Sequence, residues 1–170
     1  MPFFRSCLQL FLGRAGGFLI HACAVVRNNN AYIFAGPGGS GKSTVSRLSE
    51  KLDVLADDFV CIKKCENSFR AYGTPWYSNA AAKCAEIKKI FFLRQDTITR
   101  FKKLTHGEAA TEILLNTYNN TFDKDIIGNM LGIIAGLTAK IPGYIMHFSL
   151  QEPLWDAIDT LESKGQRGKG

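Results

Sequence analysis

Apolar positions along this chain switch repeatedly between helical and strand-like spacing. Phe3, Phe4, Cys7, Leu8, Leu10, Phe11 and Leu12 fall closer to one helix face than to alternation, and Gly13, Gly16 and Gly17 end the run. A docking helix over residues 1–16 is expected. Phe18 to Arg27 reads as a strand. Asn28-Asn29-Asn30 tolerates the left-handed backbone of a tight turn, and Ala31 to Ala35 is a second short β-prone run, which together predict a hairpin. Ser43 to Leu52 carries Val45, Leu48 and Leu52 at helical spacing. Asp53 to Asp57 then reads as a strand parallel to and beside the 31–35 strand, reached by a right-handed crossover.

The second half continues in the same manner. Phe59 to Lys64 and Phe69 to Gly73 read as strands around the turn Glu66-Asn67-Ser68, and Thr74-Pro75-Trp76-Tyr77 leaves the second of them, able to cover a nucleotide base or an acceptor. Ile87 to Leu93 is a further strand. Thr105 to Tyr118 is a helix opened by a capping box of Thr105 and Glu108. Asp123 to Lys140 is a glycine-rich apolar helix stopped by Pro142. A strand, Tyr144 to Leu150, and an amphipathic helix, Pro153 to Leu161, follow, and Lys164 to Gly170 reads as a disordered tail. The fold class is α/β, with a mixed, partly parallel β-sheet flanked by helices in one domain over residues 1–163.

The junction of the second strand and the first long helix carries the chemistry. Gly36-Pro37-Gly38-Gly39-Ser40-Gly41-Lys42-Ser43 matches G-x-x-x-x-G-K-[ST] between a strand and a helix, which is the phosphate-binding P-loop. The glycines let backbone N–H groups turn toward a polyphosphate without Cβ clashes. Gly36, Gly38, Gly39, Ser40, Gly41, Lys42, Ser43 and Thr44 are the expected nucleotide-binding residues. Lys42 reaches the β/γ-phosphates and Ser43 offers its hydroxyl to Mg²⁺.

Counting along the hairpin extends the site. A turn centred on Asn29 makes paired residue numbers sum to about 58, so Cys23 faces Ala35 and His21 faces the first P-loop residues. The alternative is a core histidine satisfied on an apolar strand. Asp57 and Asp58 arrive at a strand's carboxyl end, where ligands of such sheets gather, and alternation lets only one of the two face the γ-phosphate. His106 and His147 have no evident partners and read as structural or surface residues.

Composition adds bounds. The chain has 170 residues, 46% of them hydrophobic, and a net charge of +6. The basic residues are scattered, so anionic nucleotide is a sufficient partner and nucleic acid is not expected. Five cysteines form no C-x-x-C pair, which favours reduced structural thiols. No uncharged stretch reaches the roughly 18 residues a membrane span needs. A cytoplasmic protein without a targeting peptide or membrane partner is expected, and self-association into a homo-oligomer is left open.

The order His21-Ala22-Cys23-Ala24-Val25-Val26, then Phe34 to Thr44, then Val54-Leu55-Ala56-Asp57-Asp58 resembles the catalytic domain of HPr kinase/phosphorylase and its relatives. Tyr72-Gly73-Thr74-Pro75-Trp76 is similar to a segment of the shorter HPr-kinase-like proteins of that superfamily. The resemblance implies a P-loop kinase related in fold to phosphoenolpyruvate carboxykinase, using ATP and Mg²⁺ to phosphorylate a serine hydroxyl of a protein or peptide. It also implies Asp57 as the base toward the acceptor, with His21 assisting. Ser43 with Asp57 or Asp58 would hold the Mg²⁺. A small-molecule kinase and a non-catalytic nucleotide-binding accessory protein remain alternative readings, whereas a GTPase is disfavoured because no N-K-x-D motif occurs.

Overall fold

The computed structural model describes residues 2–74 and 84–167. The segment Pro75-Trp76-Tyr77 and the tail beyond residue 167 lie outside the described residues. In chain order the elements are α1 (Pro2–Arg14), β1 (Gly17–Arg27), β2 (Asn30–Ala35), α2 (Lys42–Leu48), β3 (Asp53–Ala56), β4 (Phe59–Lys64) and β5 (Phe69–Tyr72). β6 (Cys84–Gln95), β7 (Arg100–Lys103), α3 (His106–Asn116), α4 (Lys124–Lys140), β8 (Gly143–Phe148) and α5 (Leu154–Arg167) follow.

The eight strands form one mixed sheet in which β2, β1, β4, β5, β6, β8 and β7 are successive neighbours. β2 also pairs with β6, so its first five strands return on themselves. The pairs β2–β6 and β6–β8 are parallel, and the others are antiparallel. The expected mixed, partly parallel sheet is therefore present. β3 runs parallel to β2 in direction but does not lie beside it. It pairs antiparallel with β1 at Ala24↔Ala56 and Val26↔Asp53, so β1 lies between β3 and the P-loop strand. The hairpin puts β1 there: a long strand with one edge filled by β2 can offer its other edge to β3 and β4, end to end.

The β1–β2 turn is made by Asn28 and Asn29, both in the left-handed region at φ 51° and 62°. Two such residues suit the twist of a hairpin, and they set Ala22 opposite Ala35 and Cys23 opposite Phe34. The expected register is thus one residue off, because the turn centres between Asn28 and Asn29.

β1 is apolar on both faces because both are covered. Phe18, Ile20, Ala22 and Ala24 join the core beneath α3 and α4, where Ile113, Met130, Ile134 and Leu137 are buried. Cys23 and Val25 join the opposite core with Phe34, Val45, Phe91, Leu154 and Ile158, beneath α2 and α5. Leu19 packs under α1 beside Leu12, Phe59 and Cys61. His21, on this second face, interrupts the buried run. α3 opens with the expected capping box: Thr105 Oγ accepts from the Glu108 backbone N–H, and the Glu108 carboxylate accepts from the Thr105 N–H. α4 is capped by Asp123.

Besides β3, other elements differ from the sequence reading: α2 stops at Leu48 rather than running to Leu52. β6 extends from Cys84 to Gln95 rather than from 87 to 93. β7, unanticipated, is the charged edge strand Arg-Phe-Lys-Lys beside β8, a composition that protects a sheet edge and hides its strand character. α5 continues through Lys164 to Arg167, into the stretch expected to be a tail.

Candidate functional site

The P-loop leaves β2 at Gly36 and enters α2 at Lys42. Gly36 is buried, and a Cβ there would lie 2.5 Å from Ser40 Oγ, so the loop's closure requires glycine. Gly39 and Gly41 adopt φ of 78° and 111°, where a side chain is strained. A Cβ on Gly38 or Gly39 would meet nothing within 4 Å, since both border open space above the loop. Ser40 Oγ is buried without a hydrogen-bond partner among the described residues. Lys42 is 6% exposed, and its Nζ donates to the carbonyl oxygens of Gly36 at 2.6 Å and Pro37 at 2.8 Å. Burial lowers its pKa, partly countered by the charge of Asp58. Ser43 is exposed at the loop's mouth.

The two aspartates occupy the break between β3 and β4, opposite the middle of β1. The Ala22 N–H donates to the Asp58 carbonyl at 3.1 Å, which holds the break against the strand. Asp58 is the more engaged side chain: His21 Nε2 lies 3.3 Å from its Oδ1, and Arg5 Nη2 of α1 lies 2.5 Å from its Oδ2. Arg5 also lies 4.4 Å over the Phe59 ring, on which His21 stacks at 5.1 Å. Asp57 makes no hydrogen bond or ion pair among the described residues, and it sits near Cys23. The Cys23 thiol is held far above its ordinary range, first by burial and then by the Asp57 charge. Burial lowers the His21 pKa, Lys42 lowers it further, and Asp58 only partly compensates.

His21, Asp57, Asp58, Lys42, Ser43 and Thr44 line one cleft of about 460 Å³ with Gly38, Gly39 and Gly41. The structure thus brings together the residues singled out in the sequence around this cleft, with Gly36 and Ser40 buried within the loop. Within the cleft the imidazole of His21 pairs with Asp58. Asp57 follows the last residue of β3, in the bend into β4, and Asp58 beside it faces the imidazole.

A model of the family described as SynChlorMet cassette protein ScmC matches residues 4–162. The chain belongs to the ScmC family. Among curated proteins none matches it. Among solved structures, this ScmC-family chain is similar to the HPr(Ser) kinase/phosphatase from Coxiella burnetii, at 11% identity and a TM-score of 0.52, over 89% of this chain and 99% of that one. At that identity the likeness is one of fold.

Two more cavities flank the cleft in the ScmC-family chain. One, of about 350 Å³, shares Gly41, Thr44 and Gln95 with the cleft and is walled by Asp96, Phe148 and Leu150. The other, of about 440 Å³, shares His21 and is walled by Phe59, Leu115 and Tyr118, with Arg94 and Glu112 paired at 2.6 Å on its lining. Sequence reasoning missed Gln95, whose Nε2 donates to the Gly39 carbonyl at 2.6 Å, and also Arg5, Arg94 and Glu112. Gln95 and Arg94 end a strand parallel to β2, so a longer reading of β6 would have carried both to the P-loop. His147, read as unpartnered, has Nδ1 3.0 Å from Asp96 Oδ2.

The donor set fits a nucleotide with its magnesium. Open backbone above Gly38 and Gly39 suits phosphate oxygens, and an exposed hydroxyl and two carboxylates share the cleft. No three His, Cys, Asp or Glu side chains gather as a metal cage among the described residues, and magnesium bound through one or two carboxylates and phosphates needs none. No helix among the described residues is long and apolar enough to cross a membrane.

Proposed function

We propose that this chain is a Mg²⁺-dependent kinase that transfers the γ-phosphoryl group of ATP to a serine hydroxyl of a protein or peptide. The observation that carries the reading is the presence of an unengaged carboxylate, Asp57, in the same cleft as the P-loop lysine and an imidazole. Phosphoryl transfer asks a protein for positioning and charge neutralisation more than for covalent chemistry. The loop N–H groups from Gly38 to Thr44 hold the phosphates, and Lys42 exchanges its two carbonyl partners for phosphate oxygens. Ser43 and the aspartates are the residues that would hold magnesium, which would supply positive charge to the phosphates.

Asp57 takes the acceptor's hydroxyl proton as the acceptor oxygen bonds to the γ-phosphorus. The bond from that phosphorus to the β,γ-bridging oxygen breaks, and ADP leaves with the electron pair. His21, neutral near pH 7 because of its burial, orients Asp58 and the incoming hydroxyl. Arg5 and His21 together keep Asp58 anchored, which leaves Asp57 the freer of the two. The nucleoside would extend from the phosphates into the cavity beside Gln95 and Phe148, which adjoins the cleft at Gly41 and Thr44, where the loop enters α2. Five unpaired thiols and a dependence on ATP suit the cytoplasm.

The test is γ-labelled Mg·ATP offered in parallel to proteins, serine-containing peptides and free serine, with wild type and Lys42→Ala. Wild type is expected to label a protein or peptide. Lys42→Ala loses a charge-assisted contact of about 1.5–3 kcal/mol, so nucleotide affinity falls about 10- to 150-fold and labelling at sub-saturating ATP falls with it. Labelling of free serine alone would make this a small-molecule kinase. Nucleotide binding without any transfer would make it an accessory binding module, and equal affinity in the two proteins would remove the P-loop from the account.

A further inference from the structure

Resting on that reading, we infer that the cavity walled by Phe59, Leu115 and Tyr118 is the acceptor subsite, and that it takes a peptide whose serine is followed or preceded by a large apolar side chain. The placement comes from the succession of three cavities. The cavity beside Gln95 shares Gly41 and Thr44 with the phosphate cleft on one side, while the Phe59 cavity shares His21 with it on the other and reaches Pro37 of the P-loop. An acceptor oxygen must approach the γ-phosphorus opposite the leaving oxygen. With the nucleoside on the Gln95 side, the face left for the acceptor opens on His21 and the Phe59 cavity.

The walls select the class of acceptor. The Phe59 ring, buried between Arg5 and His21, meets the partly exposed Tyr118 edge-on at 5.6 Å, so Tyr118 is the aromatic surface left open beside the reacting centre. Leu115 stands 75% exposed on the rim, an apolar side chain that an occupant would cover. Arg94 and Glu112 neutralise each other, and Arg94 also donates to the Leu93 carbonyl at 3.0 Å. A free amino acid, with an ammonium and a carboxylate on either side of its hydroxyl, would find no unpaired countercharge among the described residues of these walls and would have to break the Arg94–Glu112 pair. A peptide brings neutral amides there. A volume of about 440 Å³ holds a large side chain together with its backbone.

The experiment compares fluorescein-labelled octapeptides with serine flanked by Phe, by Ala or by Glu. Anisotropy binding is measured in Mg·ADP and transfer in Mg·ATP, for wild type and Leu115→Asp. Leu115 is on the surface, so the variant should fold, and a thermal melt with a nucleotide titration verifies this. The Phe-flanked peptide is expected to bind and react about 10-fold better than the Ala-flanked one, the effect of burying one large apolar side chain. Leu115→Asp should reduce that preference to below about 3-fold, with nucleotide affinity unchanged. Equal binding of the three peptides, preference for the Glu-flanked one, or a preference untouched by Leu115→Asp would overturn the subsite. Selective binding without transfer would uphold the subsite and overturn the kinase, whereas transfer without selectivity would do the reverse.

Discussion

His21 is the only residue of β1 between Gly17 and Val25 that is not buried, and its chemistry follows from that half-burial. Desolvation disfavours the imidazolium, Lys42 adds to the effect, and the Asp58 carboxylate opposes it without reversing it. The folded-state pKa is therefore below the ordinary 6.5, and the unfolded chain takes up the proton first as pH falls. The corresponding stability is complete above pH 6.5 and is lost as pH drops through the folded pKa. If neutral His21 assists transfer, the acid limb of the rate profile lies below pH 6.5. His21→Asn should then lower transfer at pH 7.5 by about 10- to 100-fold, flatten that limb, and leave nucleotide affinity close to wild type. An unchanged acid limb, or loss of folding and transfer in equal measure, would return His21 to the core. The P-loop was legible because its glycines and lysine are local in sequence. His21 was legible through a register count. The Arg5–Asp58 and Arg94–Glu112 pairs were not, since 53 and 18 residues separate their partners and only the folded chain joins them.

α5 shows how an element can be legible while its anchorage is not. Its amphipathic spacing was plain from Pro153 onward, and Leu154 and Ile158 bury in the core against the sheet, but polar contacts that no spacing announces fasten it as well. Arg27 forms a double hydrogen bond with Asp159 at 2.6 and 2.8 Å and lies over Trp155, whose indole donates to Ser49 at 3.1 Å. Glu162 accepts from Lys88 at 2.8 Å, Lys89 at 2.7 Å and the Tyr32 hydroxyl at 3.1 Å. Burial of this carboxyl raises its pKa, but the lysine hydrogen bonds outweigh that and hold it at about 2. A carboxyl depressed on folding contributes stability that is present above its ordinary value of 4.5 and is lost as pH falls toward 2. Glu162→Gln should cost about 1–2 kcal/mol at pH 7, a melting shift of about 2–8 °C, after allowing for solvent screening. The gap should narrow from pH 4.5 downward. Identical melting of the two proteins at pH 7 would refute the clamp. The misplacement of β3 has a different source: four residues of apolar strand say that a strand exists, not which edge of β1 accepts it.

At the scale of the molecule, three sequence-distant breaks meet because β1 runs through the middle. Its pairing with β2 delivers the P-loop beside His21, its pairing with β3 and β4 delivers Asp57 and Asp58 to the same point, and the parallel β2–β6 pairing adds Gln95. The α/β class and the order of motifs could be read from the sequence, but the closure of the strands through β2–β6 depends on nonlocal pairing that no local pattern carries. The central claim is that this convergence performs phosphoryl transfer with Asp57 as the base. Its most direct test is single-turnover transfer from saturating γ-labelled Mg·ATP to a pool of serine-containing peptides by wild type, Asp57→Asn and Asp58→Asn, with nucleotide affinity recorded for each. Wild type should transfer label, Asp57→Asn should be slower by about 10²- to 10⁴-fold at near-normal affinity, and Asp58→Asn by about 10- to 100-fold. No transfer by wild type, a larger loss in Asp58→Asn, or more than about a tenth of the rate left in Asp57→Asn would contradict the account.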